Sequence, residues 1–565
     1  MQLEWQIIDR VPADAVQRLA AELKVPPLIA RILLNRGIED ARVAHTFFHP
    51  EFSLLHDPFL MADMDRAVAR VARAIHNKEP MLVYGDYDVD GATGTAMLVL
   101  ALKELGHPSP FFIPDRIRDG YGLSRSGIKK AKDLGVSLIL AVDCGTTAID
   151  EIALAREVGI EVVVCDHHQP EPTLPGAQAI LNPKRSDCPY PFKELSGVGV
   201  AFKLLQGLYR HLQRDEAALR TYLDLVAIGS AADIVPLVDE NRFFVRAGLE
   251  QLNRTENVGL RALLQVCGLQ NSHIGSGQVV FIIAPRINAV GRLGDAGRAV
   301  HLLMSNDPAE AMSLAQILEA ENRQRRDIDE ETFQSAMALL ESSCDVENDP
   351  AFVLYEENWH PGVIGIVASR VVEKYYRPTV MIASNNGIGK GSARSIPGFD
   401  IHQALSRCHD LMIAFGGHKY AAGLTIRTDR IADLRQRLQK VAAELMTPEL
   451  RSPKLRIESE VRFAEIDAQL MRFLQLLAPF GPQNMRPVFM SRKVRVIGTP
   501  RVVGNNHLRF KASQDNRVID AIGFNLGHLA HRLTPAENNI ELAYLIEENE
   551  WRGQMSTQLR IKDIR

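Results

Sequence analysis

Apolar runs alternate with amphipathic patterns over residues 81–166, and this alternation predicts most of the secondary structure in that region. Four short apolar runs predict β-strands at 81–85, 110–113, 138–142 and 161–165. The amphipathic patterns between the strands predict helices at 95–105, 125–134 and 147–157. Strands that alternate with helices are typical of βαβ units, so the sequence predicts an α/β domain with a parallel sheet.

Acidic residues follow each of the four predicted strands. They are Asp86, Asp88 and Asp90 after the first strand, Asp115 after the second, Asp143 after the third, and Asp166-His167-His168 after the fourth. The carboxyl ends of parallel strands lie at one edge of a sheet, where ligands bind in open α/β folds. We therefore expect these side chains to lie close together.

A cluster of buried carboxylates needs a compensating positive charge, because unpaired buried charges are costly and like charges repel. A divalent cation with oxygen ligands is the simplest candidate. Mixed aspartate and histidine ligands suit Mn²⁺ or Mg²⁺, and Mn²⁺ tolerates imidazole better. An exposed acidic turn is the alternative for residues 86–90 alone. A phosphate-binding dinucleotide turn is disfavoured, since three carboxylates would repel a pyrophosphate.

Residues 195–237 add one further candidate ligand. Asp233 lies in an otherwise apolar stretch, where an aspartate is costly unless it is paired or bound to a metal. Asp224 lies in the same stretch, at the start of a predicted helix, and is interpreted as a surface residue. The glycine-rich turn at 195–202 is interpreted as close packing rather than as a phosphate contact.

The rest of the chain divides by composition into further segments. Residues 319–331 are polar on nearly every face, as in a solvent-exposed helix that connects domains. The predicted division is an N-terminal cap without chemistry (1–75), a catalytic α/β domain (76–295), connecting helices (296–345), a second α/β domain (346–448) and a C-terminal β-barrel of the OB type (452–565).

Two groups of residues outside the acidic cluster predict contacts with phosphate or with a nucleic acid strand. In the second α/β domain, small residues let a phosphate approach the backbone while an arginine binds it; these are Ser392, Arg394, Gly416, Gly417 and His418. In the β-rich region, the run 491–511 is basic and lacks acidic residues; it contains Arg492, Lys493, Arg495, Arg501, Arg509 and Lys511. With Phe489 and Phe510 as stacking platforms, this run predicts a single-strand-binding face. A solubilising edge-strand pattern is the alternative.

Overall composition adds little about the substrate. The chain of 565 residues has a net charge of −4, so no global basic signal indicates a nucleic acid partner. The six cysteines are scattered without a CxxC pair, which suits a reducing compartment. We find neither a signal peptide nor an apolar run long enough for a membrane span, and therefore expect a soluble, cytoplasmic monomer.

The acidic motifs together resemble those of the DHH phosphoesterase superfamily. Their order and flanking residues are similar to the RecJ family of bacterial single-strand-specific 5′→3′ exonucleases. Further matching motifs are Pro285–Leu293, Gly391–Ser395 and Phe415–Gly423, and the resemblance covers roughly residues 30 to 565. One departure is Tyr84, at a position where many members of the superfamily have a histidine. Tyrosine cannot ligate as imidazole does, which leaves one ion with a ligand fewer or with water in its place.

The resemblance implies a site and an activity. It implies two Mn²⁺ or Mg²⁺ ions with Asp88, Asp90, Asp143, His167 and Asp233 as ligands and Asp143 bridging. Asp86 would be either a further ligand or a residue that orients the ligands. It implies catalytic roles for Asp143, for His168 at the scissile phosphate and for Asp166, which would hold a histidine tautomer. Contacts with the strand or its 5′ phosphate would come from Arg286, Asn288, Arg292, Ser392, Arg394, Gly416, Gly417 and His418. The reaction would release 5′-mononucleotides from single-stranded DNA in repair and recombination, with a helicase and a single-strand-binding protein as plausible partners.

Two other functions fit part of the pattern. A DHH phosphatase that acts on pyrophosphate, cyclic dinucleotides or short oligonucleotides needs only the two α/β domains, so the basic β domain argues against it. A non-catalytic replication scaffold would not need to keep its ligand-capable side chains, yet here only Tyr84 departs. Metal-stimulated turnover separates the enzymes from the scaffold.

Overall fold

The computed structural model describes residues 3–8, 11–116, 118–533, 539–551 and 554–565. The chain forms two compact units. The larger unit contains Ile7–Glu319 and Arg456–Arg565, and the smaller unit contains Met1–Gln6 and Ala320–Leu455. Within the described ranges, none of the helices combines the length and the apolar character that a membrane span requires.

The N-terminal region is mainly helical. Its elements are β1 (Glu4–Ile7), α1 (Ala13–Leu23), α2 (Pro27–Asn35), α3 (Ala41–Phe48) and α4 (Met64–Asn77). Residues of α1 to α3 pack into the same hydrophobic core as the C-terminal barrel, whereas α4 packs into the core of the first α/β region. The segment predicted as one cap is thus divided between two cores.

A five-stranded parallel sheet organises the first α/β region, as predicted. Its elements are β2 (Met81–Gly85), α5 (Val89–Glu104), β3 (Phe111–Phe112), α6 (Arg125–Asp133), β4 (Leu138–Val142), α7 (Ile149–Glu157), β5 (Glu161–Cys165) and β6 (Ala179–Leu181). The strand order is β3-β2-β4-β5-β6. The central strands β2 and β4 are buried along their whole length, as expected for a parallel sheet covered on both faces.

Helix α5 begins six residues earlier than the apolar pattern predicts. Asp88 caps it, because its side chain accepts a hydrogen bond from the Gly91 amide at 3.0 Å. The first turn contains Gly91, where a Cβ atom would lie 2.5 Å from the Asp86 carbonyl oxygen. This close approach requires glycine, a residue that weakens helix patterns in a sequence.

Helices cover the sheet and complete the first α/β region. They are α8 (Gly197–His211), α9 (Leu223–Ala232), α10 (Asp239–Leu252), α11 (Val258–Val266), α12 (Ser276–Gln278), a π-helical segment (Val279–Ile283), α13 (Ala284–Leu293) and α14 (Gly297–Met304). Helix α15 (Pro308–Ser343) follows and contains the boundary between the two units. Its polar centre is not exposed on every face, because Asn322, Asp329 and Thr332 are buried.

The smaller unit has its own mixed sheet. Its elements are β7 (Phe352–Glu356), α16 (Ile364–Tyr375), β8 (Thr379–Asn385), β9 (Ile388–Arg394), α17 (Ile401–Ser406), β10 (Ala414–His418), β11 (Ala421–Arg427) and α18 (Ile431–Leu445). The strand order is β10-β11-β9-β8-β7, with β7 and β8 parallel and the other pairs antiparallel. The prediction of a second α/β fold is confirmed.

A closed five-stranded barrel ends the chain and confirms the predicted OB-type fold. The region contains β12 (Lys454–Ile457), β13 (Ser459–Glu460), α19 (Ala468–Leu476), β14 (Phe489–Val503), β15 (His507–Gln514), β16 (Arg517–Gly523), β17 (Ile540–Trp551) and β18 (Gln554–Ile564). The order β14-β15-β16-β18-β17 closes through pairing of β14 with β17. Short 3₁₀ segments connect elements along the whole chain; they are Phe52–Leu54, Pro58–Leu60, Glu216–Tyr222, His409–Leu411, Thr428–Arg430, Pro448–Leu450, Phe463–Glu465 and Gly527–Arg532.

Arg242 on α10 joins α3 to the end of α19. Its guanidinium is buried and donates hydrogen bonds to the carbonyl oxygens of Phe47 at 2.6 Å and of Leu476, Leu477 and Ala478 at 3.0 Å each. It also lies 3.7 Å above the Phe47 ring. Burial lowers the pKa of this guanidinium, and the carbonyl acceptors compensate for the missing carboxylate.

We predict that Arg242→Met destabilises the larger unit by about 3 kcal/mol, because it leaves buried carbonyl groups without donors. Thermal unfolding followed by circular dichroism measures the change. Arg472→Met, at an exposed position on α19, is the matched control and is expected to leave the unfolding midpoint unchanged. An equal midpoint for the two variants would show that Arg242 does not support this junction.

Candidate metal centre

The carboxyl edge of the parallel sheet brings the predicted ligands together. Three groups of side chains each place candidate ligand atoms within 4.8 Å of one another: Asp86, Asp88 and Asp143; Asp90, His167 and Asp233; and Asp143, His167 and His168. Asp143 and His167 each belong to two groups, so the three groups form one continuous cluster. Its members come from the loops after β2, β4 and β5, from the first turn of α5 and from the end of α9.

Asp86, Asp88 and Asp90 differ in their hydrogen bonds. The Asp88 side chain caps α5, as described above. Asp86 is buried, and its Oδ1 atom has no hydrogen-bond partner among the described residues. Asp90 accepts hydrogen bonds from the Gly197 amide at 2.6 Å and the Val198 amide at 2.9 Å. The first amides of α8 thus fix the Asp90 carboxylate and stabilise its charge, while each oxygen keeps a lone pair for another ligand.

The glycine-rich turn before α8 packs against this cluster, which agrees with its interpretation as close packing. A Cβ atom on Gly197 would lie 2.6 Å from Oδ1 of Asp143. The turn therefore lets α8 approach the acidic edge and donate its amides to Asp90. These amides bind a carboxylate of the protein itself rather than a phosphate.

Asp143 occupies the centre of the cluster in a left-handed backbone conformation, with φ 61°. The Tyr121 hydroxyl donates a hydrogen bond to its carbonyl oxygen at 3.0 Å. Its side chain is buried, and its Oδ1 atom lacks a hydrogen-bond partner in the part of the chain that the structure describes. A buried carboxylate oxygen without a donor is costly, which indicates that a cation completes this position.

One ring nitrogen of His167 lies close to the oxygen atoms of three carboxylates. Its Nε2 atom lies 3.2 Å from Asp143 Oδ1, 3.5 Å from Asp233 Oδ2 and 3.9 Å from Asp90 Oδ2, and it makes no hydrogen bond with any described residue. Neighbouring ligands of an octahedral ion with bonds of about 2.1 Å are separated by about 3 Å. The spacing and the unused atoms therefore fit donors that converge on one divalent cation.

Burial and mutual repulsion raise the pKa values of four carboxyl groups in this cluster. Burial is the largest cause for Asp86, Asp90, Asp143 and Asp233, and the charges of neighbouring aspartates add to it. The pKa of Asp90 rises to about 7. Without a cation, the site would compensate by retaining protons; a bound cation would restore the carboxylate form.

The two adjacent histidines have opposite properties. Burial lowers the pKa of His167 to about 3, which leaves a neutral imidazole with a lone pair for a metal. Burial alone would also lower the pKa of His168, but the hydrogen bond and the charge of Asp166 outweigh it and raise that pKa. The His168 side chain is 34% exposed, so it is accessible to a substrate.

Asp166 orients the two histidines. Its Oδ1 atom accepts hydrogen bonds from the His167 amide at 2.7 Å, from the His168 amide at 3.1 Å and from His168 Nδ1 at 2.8 Å. Its Oδ2 atom accepts one from the Thr146 amide at 2.8 Å. Burial would raise the pKa of Asp166, but these hydrogen bonds and the histidine charges hold it far below its usual range.

Tyr121 belongs to the site, although no charge or motif in the sequence marks it. Its hydroxyl lies 3.0 Å from Nδ1 and 3.1 Å from Nε2 of His168, in addition to its bond to Asp143. The residue is 50% exposed. It follows β3 at the carboxyl edge of the sheet, and the rule that identified the aspartates would have identified this loop as well.

Three residues that the sequence singled out lie outside the acidic cluster. Tyr84 is fully buried, and its hydroxyl contacts Gly122 O and Ser124 Oγ at 3.1 Å each rather than the acidic cluster. Asp115 accepts a hydrogen bond from the Arg118 amide at 2.9 Å and belongs to none of the three groups. Asp224 is not a surface residue, because it is buried and accepts a hydrogen bond from the Thr255 hydroxyl at 2.6 Å.

Helix α13 contains three of the predicted strand contacts and packs on the acidic turn. Asn288 Oδ1 accepts a hydrogen bond from the Val89 amide at 3.2 Å, at the start of α5. A Cβ atom on Gly291 would lie 2.4 Å from the Tyr87 carbonyl oxygen, so α13 packs directly on the turn. Arg286 is buried and pairs with Glu319 at 2.5 Å. Arg292 lies on the last turn of this helix.

In the smaller unit, the predicted phosphate contacts lie on β9 and β10, the two strands that flank β11. Gly416 and Ser392 both pair with Gly423, while His418 and Arg394 both pair with Ala421. Gly417 lies next to them on β10. Arg394 donates to Ser392 Oγ at 3.0 Å, and a Cβ atom on Gly365 would lie 2.8 Å from that oxygen. The first turn of α16 therefore approaches the serine and the arginine.

The barrel carries a row of arginines on its outer face. Arg501 pairs with Arg509, Arg509 with Ile522, and Ile522 with Arg560. Of the other predicted residues, Arg492, Lys493, Arg495 and Lys511 are exposed, Arg492 forms ion pairs with Glu460 and Glu541, and Lys493 lies at a bulge.

The prediction of Phe510 as a stacking platform is wrong. Phe510 is 4% exposed and Phe489 is fully buried, because both side chains point into the barrel core. An accessible aromatic residue on the described part of the barrel is Phe524, which is 46% exposed and lies beside His507 and the Arg560 guanidinium.

The sequence matches three family profiles: the N-terminal domain of the DHH family at residues 80–230, the DHHA1 domain at 348–444 and the RecJ OB domain at 457–563. It is 38% identical to the single-stranded-DNA-specific exonuclease RecJ of Bacillus subtilis, over 99% of this chain and 70% of that protein. It is 34% identical to RecJ of Escherichia coli, over 98% of each chain.

A solved structure extends the similarity to the fold. The crystal structure of RecJ from Thermus thermophilus in complex with Mn²⁺ superimposes with a TM-score of 0.85 at 31% identity, covering 100% of this chain and 79% of that one. The acidic sheet edge, the second α/β fold and the OB-type barrel agree with these similarities. The chain belongs to the RecJ family of single-stranded-DNA-specific exonucleases.

Proposed function

We propose that this protein is a metal-dependent exonuclease that hydrolyses single-stranded DNA from the 5′ end and releases 5′-mononucleotides. The main support for the proposal is a set of buried potential metal-ligand atoms of Asp86, Asp143 and His167 at one sheet edge. These atoms have no hydrogen-bond partner among the described residues. Membership of the RecJ family gives the substrate class.

Six residues would hold the divalent ions. Asp86, Asp88 and Asp143 form one group, Asp90, His167 and Asp233 form the other, and Asp143 adjoins both through its contact with His167. When bound, Mn²⁺ or Mg²⁺ polarises phosphoryl oxygens and lowers the pKa of water. The amides of Gly197 and Val198 hold the Asp90 carboxylate in place for this role.

His168 is the proposed residue at the scissile phosphate. Its raised pKa favours the protonated imidazolium, which can donate a hydrogen bond or a proton to a phosphate oxygen. Asp166 fixes its tautomer through Nδ1, and the Tyr121 hydroxyl limits its rotation. Asp166 and Tyr121 are thus positioning residues for His168.

Two surfaces are proposed to bind the strand, one in each unit. In the smaller unit, Ser392, Arg394, Gly416, Gly417 and His418 combine small residues, a guanidinium and the first turn of α16, a combination suited to a phosphate. In the larger unit, Asn288 and Arg292 on α13 lie beside the acidic turn. Arg286, which is already paired with Glu319, is proposed to support that helix.

The barrel surface is proposed to hold the continuing strand. The arginine row of Arg501, Arg509 and Arg560 provides charge, and Phe524 provides a stacking surface in place of Phe510. This surface favours a polymer over the small substrates of a DHH phosphatase.

The cellular setting follows from the chemistry. An exonuclease specific for single strands needs its substrate opened or coated, so we propose a helicase and a single-strand-binding protein as partners in DNA repair and recombination. The six cysteines are free thiols, which supports a reducing, cytoplasmic location. We propose that the protein acts as a monomer.

We predict that the wild type, with Mn²⁺, releases mononucleotides from the 5′ end of an internally labelled single strand with a 5′ phosphate. A matching blunt duplex should resist. Asp143→Asn should reduce the rate at least a thousandfold without abolishing strand binding, because Asp143 adjoins both groups of ligands. The products are resolved on a denaturing gel.

The matched control is Asp150→Asn, at an exposed position of α7, which should retain full activity. Binding without cleavage by the wild type, with both Mn²⁺ and Mg²⁺, would support a scaffold instead. Cleavage of dinucleotides but not of long strands would support a small-molecule phosphodiesterase.

We predict that the metal-free protein becomes less stable as the pH rises from about 4 to about 7. The folded pKa values of Asp86, Asp90, Asp143 and Asp233 are raised, so at these four groups the folded state binds more protons than the unfolded state in this interval. The lowered pKa of His167 acts in the opposite direction, but it is one group against four. Thermal unfolding in EDTA measures the effect.

Asp143→Asn should weaken this pH dependence and raise the unfolding midpoint of the metal-free protein at pH 7. Adding Mn²⁺ should raise the wild-type midpoint, because the ion binds only the folded state, and should raise the midpoint of the variant less. A Mn²⁺ response that is equal in the two proteins would exclude Asp143 as a ligand.

We predict that Arg509→Gln combined with Arg560→Gln weakens binding of long single strands and reduces its dependence on salt. Each lost phosphate contact should lower the slope of log affinity against log salt by about 0.7. Fluorescence anisotropy with strands of increasing length measures the change. Arg427→Gln in the smaller unit, exposed and paired with Asp429, is the control.

Point substitutions are preferable here to deletion of the barrel, since deletion would expose the core that it shares with α1 to α3. An unchanged salt slope would remove the arginine row from the strand path.

A further inference from the structure

Ile234, the residue after Asp233, has an unusual backbone conformation. Helix α9 ends at Ala232, and Asp233 is its C-cap, with φ −76° and ψ −2°. The next residue, Ile234, has φ 61°, in the left-handed region. Glycine is the usual residue at this position after a helix, and asparagine is the next choice. A β-branched side chain there is a genuine outlier, because its Cβ substituents crowd the backbone.

Burial does not compensate for this strain. The Ile234 side chain is 64% exposed, and among the large hydrophobic residues of the described ranges only Phe281 and Met485 are more exposed. An exposed isoleucine in a strained conformation adds nothing to the folded core. Strained residues of this kind are concentrated at functional sites.

The residues that follow hold Ile234 in this conformation. Val235 and Leu237 are buried, the Leu237 amide donates to Pro482 O at 2.9 Å, and Asn241 Nδ2 donates to Pro236 O at 3.0 Å. The Asp233 amide bonds to Gly229 O at 2.9 Å on the other side. The chain is therefore fixed on both sides, and the surrounding structure imposes the left-handed turn.

The position of Ile234 connects it with the metal centre. Adjacent Cα atoms are about 3.8 Å apart, so its side chain starts next to that of Asp233. Asp233 Oδ2 lies 3.5 Å from His167 Nε2, inside the ligand cluster. An apolar, accessible side chain thus lies at the border of a site that is otherwise charged. The charged side chains are suited to bind a phosphate, and the Ile234 side chain is suited to contact an apolar part of the same nucleotide.

We propose that Ile234 contacts the base of the nucleotide whose phosphate lies at the metal centre. This inference rests on the proposed exonuclease function and deepens it. The contact is apolar and makes no hydrogen bond, so it holds any base without reading its identity. It strengthens substrate binding and leaves the chemical step unchanged.

The test uses three variants of the full chain. Ile234→Gly removes the contact and the strain, Ile234→Val keeps an apolar β-branched side chain, and Lys78→Gly is the matched control. Lys78 is the exposed C-cap of α4, with φ 54°, so its replacement relieves similar strain away from the metal centre. Unfolding midpoints, the Mn²⁺-dependent shift in midpoint, and kcat and KM on single-stranded DNA are measured for each.

We expect both glycine variants to raise the unfolding midpoint by about 1–2 °C. Only Ile234→Gly should raise KM, by about fivefold, with kcat within twofold of the wild type. Ile234→Val should stay close to the wild type. On a strand whose second nucleotide, the one that carries the scissile phosphate, is abasic, the KM values of the wild type and Ile234→Gly should converge, which a purely structural role would not produce.

Three results would overturn the contact. An unchanged KM for Ile234→Gly would show that the strained residue does not contribute to substrate binding. A loss of kcat together with the Mn²⁺ shift would make Ile234 a positioning residue for Asp233. A fivefold difference that persists on the abasic strand would exclude the base. If the wild type cleaved no strand, the proposed function and this contact would both fall, whereas normal wild-type cleavage with an unaltered glycine variant would remove the contact alone.

Discussion

Repulsion among buried carboxylates at one sheet edge is the constraint on which the rest of this structure depends. Asp86, Asp90 and Asp143 are nearly inaccessible to water, and their pKa values are raised by burial and by one another. Such a cluster is unfavourable unless a cation or protons compensate for it. The fold concentrates this charge because parallel strands end at the same edge, and α8 presents its first amides to one member of the cluster.

The support for that edge extends far along the sequence. The parallel sheet is buried on both faces, which fixes the loops that follow its strands. The N-terminal helices α1 to α3 share one core with the C-terminal barrel, and the Arg242 guanidinium joins α10 to both. The barrel is therefore a structural part of the larger unit as well as a proposed binding surface, and its loss would affect stability before it affected DNA binding.

The sequence predicted the strands well because buried parallel strands are short apolar runs with clear ends. It missed the start of α5, where close packing requires Gly91, and it placed Asp115 and Asp224 wrongly because their partners are distant or local turn amides. Phe510 was misjudged for a different reason: Arg509 and Lys511 face outward, and alternation along a strand then directs Phe510 inward. Tyr121 lacks the charge that marks the other site residues, and the strain at Ile234 depends on backbone geometry, which no residue pattern reveals.

Environment separates the roles of two chemically identical neighbours in this site. His167 is buried among aspartates, and desolvation leaves it neutral with a free lone pair, as a metal ligand requires. His168 is partly exposed and bonded to Asp166, so its charged form is favoured. Because Asp166 forms a hydrogen bond with the ring of His168 and not with that of His167, one histidine is suited to bind a cation and the other to face a phosphate. Pairs of groups whose environments separate their pKa values in this way are typical of catalytic sites.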